Sequence, residues 1–338
     1  MRKPGEVPRP LVALHAVGRD FDVSKPWLNR MIEREARHLL TAVDDFSLEV
    51  RSGETLALVG ESGCGKSTVA RLIAGLYPPT RGRIEFDGRS QGASPSELWN
   101  AEVRRRMQMI FQDPYASLNP RWRVTDIIAE PLRAHGSLTR RADARTRVAE
   151  LLSQVGLSSA DGDRYPHEFS GGQRQRISIA RALSSTPEFL MCDEPTSALD
   201  VSVQAQILNL MKGLQEQLQL TYLFISHNLA VVSQMATRVG VMYLGRLVEL
   251  ANAPTLFSSP RHPYTRMLLD AIPDLEMTGR PRTPVAGEVA NPLAPPPGCA
   301  FHPRCPLANP RCRAERPQLT ATAQGALVAC HAVEEGRD

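Results

Sequence analysis

Residues 60–68 read Gly60-Glu61-Ser62-Gly63-Cys64-Gly65-Lys66-Ser67-Thr68, a match to G-x-x-x-x-G-K-[ST]. These types at this spacing suit a phosphate. Glycines let backbone N–H groups wrap round its oxygens, Lys66 brings a mobile charge for the β- and γ-phosphates, and Ser67 brings a hydroxyl for Mg²⁺. The expected nucleotide contacts are therefore Gly60, Ser62, Gly63, Cys64, Gly65, Lys66, Ser67 and Thr68. A second segment, EFLMCDEP at 188–195, ends an apolar run on Asp193 and Glu194. Neighbouring strand residues point to opposite sides, so the two carboxylates need not share a task. Asp193 is expected to hold Mg²⁺, directly or through water, and Glu194 to act as general base on the attacking water. In isolation such a pair would read as a solvated strand end; behind a phosphate loop it reads as chemistry.

Three more segments extend the constellation. MQMIFQDP places Gln112 after an apolar run, where its amide could reach Mg²⁺ or the attacking water. TYLFISHN does the same for His227, within reach of the γ-phosphate or the base. Alone, each is more often an ordinary strand-end polar residue. Ser170-Gly171-Gly172-Gln173 reads locally as a capping box. That does not account for two glycines in the first turn, where they cost stability relative to alanine. They make sense if something approaches the backbone, and a helix N-terminus favours an anion. With one phosphate loop in the chain, the expected anion is a phosphate held by a second copy.

These residues need elements to hold them. Thr55–Val59 is a short apolar run of the kind expected for a buried parallel strand, and Val69, Ala70, Leu72 and Ile73 mark an apolar helix face after the loop. Phe189–Cys192 reads as another core strand, with the acidic pair at its carboxyl end, where α/β sheets place ligands. The chain of 338 residues carries 40 Lys and Arg against 36 Asp and Glu. A net charge of +4 is too slight to argue for nucleic acid or an anionic membrane, and no nucleic-acid partner is expected. The apolar stretch near 221–245 is broken by Ser226, His227, Asn228, Gln234 and Arg238, so no bilayer span is expected. LVALHAVG near the start lacks the pattern of a signal peptide, which leads to the expectation of a cytoplasmic chain.

Six ordered motifs now resemble the ATP-binding subunits of ABC transporters. They are Gly60–Ser67 as Walker A, Gln112 as the Q-loop, Ser170–Gln173 as the signature, Asp193-Glu194 as Walker B, Ser197–Asp200 as the D-loop and His227 as the switch histidine. Phe169 stands where the commonest signature has leucine. GESGCGKST, FQDPYASLNPR and PRHPYTRMLLDAIP are similar to the versions in dipeptide and oligopeptide importers, of the second ATP-binding subunit type. The resemblance implies an α/β fold: a P-loop NTPase ABC-type nucleotide-binding domain with β-rich and helical subdomains, plus a C-terminal accessory region. The expected division is an ATPase domain over 10–253, its helical subdomain at about 113–180, and the accessory region over 254–338. Residues 22–40 look like an insertion.

The resemblance also implies ATP and Mg²⁺, the latter held by Ser67, Gln112 and Asp193, and hydrolysis coupled to peptide transport. Two ATPase domains would close head to tail, this chain with a paralogous subunit. Closure would act on two membrane permeases supplied by an extracytoplasmic solute-binding protein, at the cytoplasmic face of a bacterial inner membrane. Phe21 is the aromatic expected on adenine. Cargo is chosen elsewhere, so nickel or glutathione importers share this expectation. A soluble ABC protein acting on DNA or ribosomes is disfavoured, because neither a long coiled coil nor tandem cores are present.

Four of the six cysteines remain: Cys299, Cys305, Cys312 and Cys330, spaced C-x5-C-x6-C-x17-C in a proline-rich tail. A cytosolic setting disfavours disulfides. Four thiolates suit structural zinc or an iron–sulfur cluster, and the spacing alone does not choose. His302 and His331 are rival ligands, and unligated thiols are the plain alternative. The family resemblance implies a [4Fe–4S] cluster on the four cysteines.

Overall fold

Thr55–Val59 is buried at every position, as its apolar run requires, and it delivers the chain directly into the phosphate loop. The structure is a computed structural model that describes residues 10–33, 36–91, 99–136, 141–271, 287–288 and 290–338. Parts of the expected insertion (34–35), core (92–98), helical stretch (137–140) and tail (272–286, 289) lie outside the described residues.

The strands are β1 (Pro10–Asp22), β2 (Leu39–Arg51), β3 (Thr55–Val59), β4 (Arg81–Phe86), β5 (Arg89–Gln91), β6 (Met107–Ile110), β7 (Phe189–Asp193), β8 (Thr221–Ile225), β9 (Arg238–Tyr243), β10 (Arg246–Asn252), β11 (Thr320–Ala321) and β12 (Leu327–Val328). The chain divides into two compact units, which do not follow the sequence division at 253.

One unit contains Val50–Thr55 and Trp99–Ser226. Its strands β6, β7 and β8 pair in parallel, with Cys192 opposite Ile110 and Asp193 opposite Ile225. Helices Val124–Ala134, Arg141–Gln154 and Gly171–Ser184 pack on one another beyond them. The expected helical stretch is about 113–180; these helices lie between Val124 and Ser184. Phe169 is buried there and carries the Arg164 guanidinium 4.3 Å from its ring centre.

The other unit contains Leu11–Glu49, Leu56–Leu98 and His227–Asp338. Strands β2, β1, β4 and β5 form one sheet in that order. In a second sheet β3 pairs in parallel with β9, β9 antiparallel with β10, and β10 with β12 of the tail. The expected accessory region is thus built into the same unit as the phosphate loop: Glu249 of β10 pairs with Val328 and Leu250 with Leu327. Strands β11 and β12 are only two residues long each, too short to stand out as strands in the sequence. Between β1 and β2 the expected insertion makes a short excursion through the helix Trp27–Glu33, closed at its base by Val23 N–H donating to His38 O at 3.0 Å.

Candidate active site

The phosphate loop occupies the turn between β3 and the helix Lys66–Ile73. Two of its glycines are dictated by close approach. A Cβ on Gly60 would strike the Met242 carbonyl oxygen, and one on Gly65 would strike that of Ala42; both residues also have positive φ, 151° and 105°. Gly65 is the helix N-cap, so the first N–H groups of the helix face the loop. Lys66 is buried, and its Nζ donates to the carbonyls of Gly60 at 2.8 Å and Glu61 at 2.9 Å. The ammonium therefore lies folded into the loop that is expected to hold phosphate. Cys64 packs beneath it, where burial pushes its thiol up against the pull of Lys66. Ser62 and Gly63 are exposed, and Ser67 and Thr68 half-buried, in the same turn.

The acidic pair sits at the end of β7 as expected. Asp193 is 3% exposed. Glu194 leaves the strand with φ of 47°, a left-handed backbone that a residue with a Cβ adopts at a cost of about 1 kcal/mol or more. Its N–H donates to Ile225 O at 2.9 Å, which pins this turn to β8. The turn swings the Glu194 carboxylate to Gln112, whose Nε2 donates to Oε2 at 3.0 Å. Two residues 82 positions apart, chosen for the same chemistry from the sequence, are thus in direct contact. His227 is exposed just beyond β8, and belongs to the other unit.

Ser170–Gln173 forms the expected capping box. Ser170 Oγ accepts from Gln173 N–H, and Gln173 Oε1 accepts from Ser170 N–H at 3.0 Å. The glycines need a corrected account. A Cβ on Gly172 would lie 2.5 Å from Val203 Cγ1 of the helix Val201–Leu218, so close packing of two helices already demands this glycine. Gly171 carries less constraint: its Cβ would meet Leu199 Cδ2 at 3.3 Å. A ligand need not be invoked for Gly172, and Gly171 is the exposed one of the two.

Phe21, at the end of β1, is half-buried. The Arg19 guanidinium stands 4.7 Å from its ring centre and Tyr77 meets it edge-on at 5.4 Å. Tyr77, which the sequence reading passed over, shares the same arginine at 5.5 Å.

In the tail, all four cysteines carry free thiols, and each of Cys305, Cys312 and Cys330 is close enough to Cys299 to raise its pKa. Burial is the larger cause and takes Cys299 up to about 11; it also pushes Cys305 and Cys330 upward. Backbone N–H groups of Phe301, Leu307 and of Ala332 with Val333 point at the sulfurs of Cys299, Cys305 and Cys330 respectively. The rival histidines are engaged elsewhere. His331 has Glu334 and the Glu315 carbonyl on its two nitrogens, and His302 Nδ1 faces the Cys299 carbonyl. Among the described residues, however, no group of three or more His, Cys, Asp or Glu is arranged to hold a metal ion. The thiols share a neighbourhood without forming a ready cage.

Sequence reasoning missed what braces the phosphate loop. Glu61 is held by Arg304 and Tyr264, from 243 and 203 residues away.

Comparison with known proteins fits this geometry. Residues 43–197 match the family described as ABC transporter, and residues 248–312 match the oligopeptide/dipeptide transporter C-terminal region. The chain is 51% identical to the oligopeptide transport ATP-binding protein AppF of Bacillus subtilis (strain 168), across 86% of this chain and 89% of that protein. It is 51% identical to the di/tripeptide transport ATP-binding protein DppF of Pseudomonas aeruginosa (strain UCBPP-PA14), across 87% and 90%. Among solved structures, the ATP-binding cassette MJ0796, a dimer in a post-hydrolysis state with ADP and Pi, is similar with a TM-score of 0.61 and 26% identity, over 72% of this chain and 98% of that one. With the phosphate loop, the acidic strand end and the capped signature helix all in place, the chain belongs to the ABC transporter ATP-binding family, in its oligopeptide/dipeptide transporter branch, and is an ATPase.

Proposed function

We propose that this ATPase is the energy-coupling subunit of an importer for di- and oligopeptides. The observation that carries the chemistry is the 3.0 Å bond from Gln112 to Glu194, which holds the carboxylate that would polarise water at the end of β7. The peptide cargo rests on what the relatives are named for. Gly60, Ser62, Gly63, Cys64, Gly65, Lys66, Ser67 and Thr68 bind the phosphates, and Lys66 exchanges its loop carbonyls for phosphate oxygens. Ser67, Asp193 and Gln112 supply the oxygen donors that suit Mg²⁺, and the ion when bound neutralises phosphate charge. Glu194 takes a proton from the attacking water and His227 contacts the γ-phosphate side. Phe21 stacks on adenine by the face that Arg19 leaves available.

Ser170, Gly171, Gly172 and Gln173 are assigned to the ATP of a paralogous partner subunit, in a head-to-tail heterodimer. That pair docks on two membrane permeases served by an extracytoplasmic binding protein, peripheral to the cytoplasmic face of the membrane. In keeping with peripheral attachment, no helix among the described residues is long and apolar enough to cross a membrane. Cys299, Cys305, Cys312 and Cys330 are assigned to a [4Fe–4S] cluster on the strength of their donor chemistry, four free thiols in one neighbourhood of the tail. Loading must draw the thiols into a cage.

The test is ATP hydrolysis by the complex reconstituted with its permeases and binding protein. Stimulation by di- or tripeptides is expected. Stimulation by nickel or glutathione instead, or purification with nucleic acid in place of permeases, would overturn the assignment.

A further inference from the structure

The tail reaches into the nucleotide site through one arginine. Arg304 Nη1 donates to Glu61 Oε2 at 2.8 Å and Nη2 to Oε1 at 3.0 Å, a two-pronged pair that fixes orientation as well as distance. Glu61 is the second residue of the phosphate loop. Its N–H donates to Tyr264 Oη at 2.9 Å, and its carbonyl accepts from Lys66. Side chain, N–H and carbonyl are all engaged, two of the three by residues beyond 254.

The clamp is itself rigidly mounted. The Arg304 side chain is 3% exposed, its Nη2 lies 3.7 Å from Met267 Sδ, and its guanidinium sits 5.9 Å from the Phe301 ring centre. Phe301, Tyr243 and Tyr264 pack ring against ring at 4.7 to 5.4 Å. Cys305 follows Arg304 directly, so the arginine rides on the turn that carries the cysteines. The loop it holds contains three glycines of positive φ, Gly60, Gly63 and Gly65, and such a backbone is mobile unless braced. A loop ordered in advance binds more tightly, because less freedom is lost when the ligand arrives.

We propose that the cysteine-bearing tail pre-orders the phosphate loop, with Arg304 as the positioning residue that acts on ATP through Glu61. The proposal rests on ATP binding at this loop. It is separable from that assignment, because Lys66→Ala removes the phosphate contact itself and serves as the reference loss.

The experiment measures the Mg·ATP dissociation constant of the full chain for Arg304→Met, Glu61→Gln, the double variant and Arg304→Lys. Methionine keeps the arginine stem's packing, and Glu61, with a side chain 24% exposed, stays solvated when its partner goes. Each single variant is expected to bind ATP about tenfold more weakly, the size typical of a residue that tunes a site through a neighbour. The double variant should be no weaker than either single one, since both remove the same clamp. Lysine should recover part of the loss. In the assembled complex the penalty should fall on KM, with kcat at saturating ATP within about twofold of the parent. Affinities within twofold of the parent, penalties that multiply in the double variant, or losses that merely follow the urea midpoint across the set would overturn the proposal.

Discussion

The second signature glycine offers the sharpest test of how this site is packed. Replacing Gly172 by alanine puts a methyl 2.5 Å from Val203 Cγ1, where ordinary carbon contacts begin near ~3.5 Å. Roughly 1 Å must be found. Val203 is stiff about χ1 on its helix, so the helices must shift. Overpacking of this kind costs about 1–3 kcal/mol, while exchanging glycine for alanine in a helix returns up to about 1 kcal/mol. The net expectation is destabilisation by about 1 kcal/mol, read as a lowered urea midpoint. At Gly171 the same methyl meets Leu199 Cδ2 at 3.3 Å, a contact that a leucine methyl can relieve, so Gly171→Ala should raise the midpoint slightly through the helix preference of alanine. Adding Val203→Ala to Gly172→Ala should restore stability. ATP turnover of the assembled complex, measured on the restored double variant, then isolates any role of Gly172 towards the nucleotide. A Gly172→Ala chain as stable as the parent, or one that Val203→Ala does not restore, would refute the packing account.

Other expectations follow from the same geometry. Gly65→Ala drives a methyl into the Ala42 carbonyl at φ of 105°, and should abolish ATP binding in equilibrium titration while the chain remains folded. His262 is fully buried, accepts Tyr264 N–H on Nδ1, and has its pKa lowered to about 3 by burial. The unfolded chain takes up that proton near the ordinary histidine value of about 6.5, so the stabilisation is whole above 6.5 and is lost as pH falls towards 3. His262→Gln should flatten this part of the pH–stability curve, measured as urea midpoints across pH 3–7. Anaerobically purified chain should show broad visible absorption with matched iron and acid-labile sulfide; stoichiometric zinc without colour would replace the cluster by a structural zinc.

Much of the candidate nucleotide site was legible in the sequence because its parts are local. The phosphate loop, the capping box at Ser170 and the acidic end of β7 are each short runs whose residue order implies their geometry. Two things were not legible. The need for a glycine at 172 comes from Val203, a partner on another helix, and nothing in SGGQ distinguishes a glycine spared for a ligand from one spared for a neighbour. The brace on Glu61 comes from residues more than 200 positions away, in a region whose proline-rich composition suggested a separate appendage. The tail pairs with β10 through β12, and its Tyr264 and Phe301 pack on Tyr243.

Glu194→Gln tests the central claim most directly. Glutamine keeps an oxygen for the Gln112 amide to reach, so the exchange removes the base and little else. ATP binding and ATP turnover should be measured on the same assembled complex. The account predicts ATP affinity close to the parent's with turnover lowered roughly 10²–10⁴-fold, the usual worth of a general base. Turnover near the parent's, with ATP bound, would contradict the assignment of Glu194 as the base.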